Sequence, residues 1–303
     1  MPTNYSSGVT SFGIPVLGAG GHIPTTTGTY FFVDSNTGNN GHTGFSPSEP
    51  KATIAGAISA ATASKGDVII VMPGHAENIS SATSLAVNKA GVQIIGLGHG
   101  RNRPVLTFTN TAGSIEMDAA NTRLSNMVLM ASVSAVVVGL NVDADGVTLD
   151  NLEFTFDETG DDFVTMVDVD AFDRCTIANC QFIAESGAAG AAEAIRLDDT
   201  HFLRLIDCWF SGQWSDSAIV GEGALGTDWL IANNFIYNAD TGDANGIDIN
   251  VASTGVISNN RIGTLYATAV ANLLDPGSCL CTENYCVNAI DETGIVIPAT
   301  PSA

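Results

Sequence analysis

The segments RLSNMVL (123–129), TLDNLEF (148–154), TIANCQF (176–182), RLIDCWF (204–210), LIANNFI (230–236) and VISNNRI (256–262) share one form, apolar–x–Asn–x–x–apolar, with Asp replacing Asn once. A weaker copy, CTENYCV (281–287), follows. With its Asn taken as the anchor, the row is Asn126, Asn151, Asn179, Asp207, Asn233, Asn259 and Asn284, spaced 25, 28, 28, 26, 26 and 25 residues apart. About ten to twelve residues before each of the six full copies lies a short alternating run: SIEMD, GLNVD, MVDVD, AIRLD, AIVGE and GIDIN. Alternation over three to five residues is strand patterning with one apolar face. Gly, Asp, Asn, Thr and Ser between the runs supply turn chemistry.

Each period therefore holds two or three short strands and cannot bury its apolar face alone. Stacking periods ~4.8 Å apart pairs each strand with its equivalent in the next coil and closes a shared core. The expected fold is all-β: a single-stranded right-handed parallel β-helix of about 26 residues per coil. Helical solenoids are excluded because no stretch after residue 64 keeps a 3.6-residue period, and a propeller needs ~40 or more residues per blade. The coils predict a rod roughly 35–45 Å long. Asn at a corner tolerates left-handed backbone, and its amide can bond the Asn above and below. The anchor row is accordingly structural.

Upstream, SPSEPKATIAGAISAATASKGDVIIVMPGHAEN (46–78) reads as a turn, an amphipathic helix and a strand. Ile54, Ala57, Ile58 and Ala61 form one apolar face, which predicts a capping helix near 52–63 over the open first coil. The expected division is an N-terminal arm with a leading strand (1–45), the β-helix with its cap (46–290) and a C-terminal tail (291–303). The arm is rich in Gly, Thr, Ser and Pro around an apolar island, Phe12 to Leu17. Val9, Phe12, Ile14, Pro15, Val16 and Leu17 are its candidate contacts, either with a partner surface or with the first coil.

The 303 residues carry 32 acidic and 10 basic side chains, a formal charge of −22. Such a balance argues against nucleic acid and against an anionic membrane, and no apolar run reaches the ~18 residues of a span. The charge is uneven. Residues 1–123 hold six basic and six acidic residues, whereas residues 124–303 hold four and 26. The N-terminus has neither a basic nor an apolar leader region, so synthesis in a cytoplasm and six reduced cysteines are expected.

ATIAGAISAATASKGDVIIVMPGHAEN resembles the opening of pectate-lyase-like right-handed β-helix proteins, where a capping helix leads into GD-x-I-x-V-x-PG. More narrowly, GVTSFGIPVL (8–17), YFFVDSNTGNNG (30–41), GDVIIVMPGHAENI (66–79) and AGVQIIGLGHGRNRPVLTF (90–108) resemble a group of bacteriophage virion proteins of this fold. The resemblance implies a capsid decoration or cement protein, made in a bacterial host. It would bind the major capsid protein on the virion surface as a homotrimer.

Two alternatives stay open: a tail spike or fibre component that binds host glycans, and a β-helix polysaccharide lyase or hydrolase. A glycosidase needs two carboxylates about 5–10 Å apart. Counting back from the anchors places Asp168, Arg196, Glu222 and Asp248 in one outward row, with Asp170, Asp198 and Asn250 two positions on. Such rows are active-face, Ca²⁺-binding or merely solvated. The motifs of polygalacturonase-like hydrolases are missing, since Gly98-His99-Gly100 stands apart from any Asp-Asp pair and from an R-I-K segment. No histidines sit at metal-ligand spacing, and Cys279, Cys281 and Cys286 lack C-x-x-C pairs. The sequence therefore predicts no catalytic residues, no metal ligands and no cofactor.

Overall fold

The computed structural model describes residues 10–11, 14–15, 24, 26–185, 191–240, 245–264 and 273–287. Three parallel sheets wrap one core. Sheet A has ten strands, from Tyr30–Val33 to Leu280–Thr282; sheet B has nine, from Ala76–Ile79 to Tyr285–Val287. Sheet C has eight, from Leu85–Ala86 to Leu274–Asp275. The chain visits them in the order A, B, C, and each strand pairs with its equivalent one coil away. This is the right-handed parallel β-helix expected from the repeat. Ten layers at ~4.8 Å make a rod about 43 Å long.

Register explains the core. In sheet A, Leu124, Leu149, Ile177, Leu205, Ile231 and Ile257 lie directly above one another, all fully buried. In sheet B the inward column passes through Phe154, Phe182 and Phe210. Their rings stack with centroids 5.2 and 4.7 Å apart and planes 15° and 11° from parallel. Coil spacing thus matches offset ring stacking, which adds to the burial of each ring.

The A-to-B corner is a single residue in the left-handed region. Asn126, Asn151, Asn179, Asp207, Asn233 and Asn259 have φ between 52° and 61°. That turn points each backbone N–H along the rod, where it donates to a carbonyl of the following coil. Asn126 donates to Asp150 at 3.1 Å, Asn179 to Ile206 at 3.2 Å and Asn259 to Thr282 at 3.1 Å. Side chains continue the link in places. Asn151 Nδ2 donates to Asn126 Oδ1 at 2.9 Å and Asn259 Nδ2 to Asn233 Oδ1 at 2.7 Å, whereas Asn179 turns to Asp150 Oδ1 at 2.9 Å.

In the last coil the structure corrects the anchor row. Glu283, not Asn284, occupies the corner, with φ 56°. The pairing of Ser258 with Thr282 sets this register. Asn284 falls one position on and is buried. It joins Asn234 and Asn260 in an inward row that earlier coils fill with Met127, Leu152, Cys180 and Cys208. Asn234 N and Nδ2 both donate to Asn260 Oδ1 at 3.0 Å. Asn260 N and Nδ2 donate likewise to Asn284 Oδ1 at 3.0 and 2.9 Å. Each amide nitrogen also reaches a backbone carbonyl of the preceding coil, as Asn260 does to Ile231 at 3.0 Å. Buried polar groups so fully satisfied fix one register.

The N-terminal end is closed by the helix Ile54–Ala60, with Ile54, Ala57 and Ile58 buried and Thr53 Oγ1 accepting from Gly56 N at 3.0 Å. It is shorter than the 52–63 expected, because Thr53 caps it and Ala61 is already extended. Buried Asp67 accepts from Thr29 N and Thr62 N, each at 2.7 Å, tying the first strand to the helix exit. Buried His75 accepts from Ser35 N through Nδ1 at 2.9 Å, so its Nε2 donates to Glu77 at 3.1 Å. Glu77 in turn accepts from Ile54 N at the helix start. Among the described residues no helix is long and apolar enough to cross a membrane.

Two neighbouring asparagines should respond differently to truncation. Asn260→Ala orphans the buried Asn234 N–H and the Ile231 carbonyl, and is expected to cost about 2–4 kcal/mol in urea unfolding. Asn259→Ala affects an exposed side chain at the corner, and is expected to cost only about 1–2 kcal/mol of left-handed strain. Equal losses would contradict the inward ladder.

Candidate functional site

Sheet C carries the acidic face. Its strands are the longest, with eight residues each in Phe163–Asp170, Ala191–Asp198 and Trp214–Gly221, the last two paired across a register shift near Ala191. The inward column, Leu140, Val167, Ile195, Ile219 and Ile247, belongs to the core and leaves the intervening side chains outward. One outward row runs Glu116, Asn141, Asp168, Arg196, Val220, Asp248 and Asp275. The next begins with Asp118 and Asp143, continues through the paired Asp170 and Asp198, and reaches Glu222 and Asn250.

Glu222 therefore belongs to the second row, and buried Val220 takes the place expected for it. Thirteen residues separate Val220 from its anchor Asn233, against eleven from Arg196 to Asp207, so counting back from the corner misplaces this strand by two. Asp168, Arg196 and Asp248 fall in the first row, and Asp170, Asp198 and Asn250 in the second.

Three carboxylates converge at the N-terminal side of this face. One oxygen each from Glu116, Asp118 and Asp143 lies within 4.8 Å of the others. Glu116 is held by the Ser114 hydroxyl and by Asn141 Nδ2 at 2.9 Å. Burial pushes Asp143 up to about 6, helped by the charges of Glu116 and Asp118. Burial and Glu116 also raise Asp118. A depression of about 310 Å³ adjoins the cluster, with Ser114, Glu116 and Asn141 on one side and Ala82, Ala112 and Val137 on the other.

Further along, Arg196 grips Asp168 with two parallel hydrogen bonds, its Nε at 2.9 Å from Oδ1 and an Nη2 contact to Oδ2. Hydrogen bonding to Asp168 raises the Arg196 pKa, so this guanidinium stays charged and is no base. Burial raises Glu193, opposed by its bond from Thr165 Oγ1 at 2.6 Å and by the charge of Arg196. Asp170 and Asp248 are raised by burial and then by Asp198 and Asp275 respectively.

Chemically, Glu116, Asp118 and Asp143 form one close-set carboxylate cluster. It suits a shared proton, and its oxygens are of the kind a hard cation such as Ca²⁺ takes. The elimination chemistry of a lyase needs a neutral base beside the scissile centre, and on this face Arg196 is committed to Asp168. The six cysteines are free thiols. Burial pushes Cys175 and Cys286 up to about 12, far from thiolate reactivity.

The remaining sequence candidates are dispersed. Val9, Phe12, Val16 and Leu17 lie outside the described residues, while Ile14–Pro15 is a short strand antiparallel to Thr10–Ser11. The anchor row sits on the A-to-B corner, away from sheet C. Sequence reasoning missed Glu116 and Asp118, although SIEMD was in view, because its rows began two coils later, at Asp168 and Asp170.

No family model and no curated protein matches the chain. Among solved structures it is similar to a rhamnogalacturonan lyase at 12% identity, covering 89% of this chain and 90% of that one with a TM-score of 0.45. It is also similar to pectate lyase Pel9A at 14%, covering 88% and 81% with a TM-score of 0.48. A protein of Geobacillus virus E2, ORF18, aligns at 11%, covering 77% and 58% with a TM-score of 0.39. These identities and TM-scores add nothing to the parallel β-helix that the strand pairing itself establishes.

Asp143 gives a signed pH prediction. Its folded pKa of about 6 exceeds the ordinary 3.8, so the folded state holds the extra proton between these values. Its stabilising contribution is complete below the lower value and is lost as pH rises through about 6. Asp143→Asn is expected to raise Tm at pH 7 and leave it nearly unchanged at pH 4. Carbon-detected NMR should show the Asp143 carboxyl titrating with a midpoint near 6. An ordinary midpoint would show that the three carboxylates do not share one site.

Proposed function

We propose that this chain is a non-enzymatic virion protein that binds the shell of a bacteriophage through its N-terminal end and projects its acidic end outward. The observation that carries this reading is the division of charge along a solenoid. In a β-helix, position in sequence becomes position along the rod. The described coils up to residue 123 and the acidic coils that follow them are therefore opposite ends of one object. A neutral end, with the apolar island Phe12 to Leu17 beside it in sequence, is suited to lie on a protein surface. An acidic end keeps neighbouring projections apart and soluble.

The strings at 8–17, 30–41, 66–79 and 90–108, which resemble phage virion proteins, all fall in the neutral part. The partner is the major capsid protein, and the copies act as a homotrimer on the virion surface. The acidic face of sheet C supports the non-enzymatic reading to the extent that its cation, Arg196, is held by Asp168.

Quantitative mass spectrometry of purified particles, referenced to the major capsid protein, tests the role. A decoration protein is expected at hundreds of copies, in simple ratio to the capsid subunit. A handful of copies would point to a spike. Absence from the particle, with turnover of a polysaccharide that Asp143→Asn abolishes, would overturn the reading in favour of an enzyme.

A further inference from the structure

Ten large apolar side chains are exposed among the described residues, and five of them form one stripe on the A-to-B corner. On the sheet A side the outward row runs Arg204, Leu230, Val256, Leu280; on the sheet B side it runs Trp209, Phe235, Arg261, Tyr285. Trp209, Phe235, Tyr285, Val256 and Leu280 are between 36% and 67% exposed. The rows extend over four successive coils, about 14 Å along the rod at ~4.8 Å per coil. Isolated exposed apolar residues are ordinary, but two coil-to-coil rows flanking one corner, with aromatic and Arg members, have the composition of an interface core.

The charges in the stripe are as unusual as its apolarity. Of the four arginines in the acidic body, Arg174 pairs with Asp145 and Arg196 with Asp168. Arg204 and Arg261, the two in the stripe, are exposed and form no ion pair among the described residues. The corner residues between the rows contribute Asp207 and Glu283, so the stripe is locally neutral on a body that carries 26 acidic residues.

We infer that a second copy of this chain covers the stripe. Elsewhere on the body, contact between copies brings acid against acid. Here the charges cancel, and an unpaired guanidinium of one copy can lie on an aromatic ring of the next. The two rows are distinct surfaces on either side of one corner. The sheet A row of one copy set against the sheet B row of the next is a head-to-tail contact, the kind that builds a ring where its rotation closes. A sugar chain fits less well, because Trp209 and Phe235 meet at 64° and offer no shared plane, and Val256 and Leu280 offer no ring. This inference rests on the homotrimer reading above and places its contact: an oligomer that survives substitution of the stripe would overturn the placement alone, whereas a monomeric wild type would overturn both.

Size-exclusion chromatography with light scattering on the full chain tests it. The wild type is expected as an oligomer of the 31.2 kDa chain. Trp209→Asp with Leu280→Asp is expected to weaken assembly at least ~100-fold and give monomers with an unchanged circular-dichroism spectrum. Should that pair unfold the chain, Arg204→Glu with Arg261→Glu provides the same test at fully polar positions. A monomeric wild type, or an oligomer that survives both pairs of substitutions, would overturn the inference. So would a monomer whose Trp209 fluorescence responds to oligosaccharides.

Discussion

One left-handed residue at the A-to-B corner of each coil from Asn126 to Asn259, handing its backbone N–H to the next coil, is the constraint from which the rest of this structure follows. Placed at the A-to-B corner, it fixes where sheet A ends and sheet B begins in each layer. Because strand side chains alternate with a period of two, an error of one residue there would turn every apolar side chain of the following strand outward. Asn and Asp fill the corner because they visit this backbone region at low cost. Glu283 shows that the register, once set by neighbours, imposes the conformation on a residue less suited to it.

The position after the corner shows how the same geometry is met by different chemistry. Met127 and Leu152 fill it with bulk. Cys180 and Cys208 direct weak donors at carbonyls, with Sγ 3.2 and 3.3 Å from Ala178 and Ile206 oxygens. Asn234, Asn260 and Asn284 replace both with a continuous amide ladder. In that direction the inward column of sheet B changes from Phe154, Phe182 and Phe210 to Ile236 and Ile262, so ring stacking ends where the amide ladder begins.

Much of this was legible in the sequence, and the failures have physical causes. The repeat, the strand alternation and the helix face Ile54, Ala57, Ile58 and Ala61 are local patterns, and local patterns survive in a string of letters. Asn284 was misassigned because two adjacent residues competed for one corner and only the pairing of Ser258 with Thr282 decides between them. Glu222 was misplaced because connections after sheet C vary in length, so distance from an anchor is no measure of register. The exposed stripe was illegible for a different reason. Trp209, Phe235 and Tyr285 read as ordinary strand residues until the corner places them beside Val256 and Leu280.

The solenoid converts a linear gradient of composition into a molecule with unlike ends and unlike faces, and the functional reading joins that division to the resemblance of the N-terminal strings. It stands or falls with the corner that holds the coils in register. Residue-resolved amide hydrogen exchange on Asn126, Asn151, Asn179, Asp207, Asn233 and Asn259 tests that directly. Their side chains are mostly at the surface, yet the account predicts that their amides exchange only as slowly as the inward strands, through opening of the whole solenoid. Exchange as fast as that of the exposed turns would show that the inter-coil bonds do not hold, and would contradict the register on which every face described above depends.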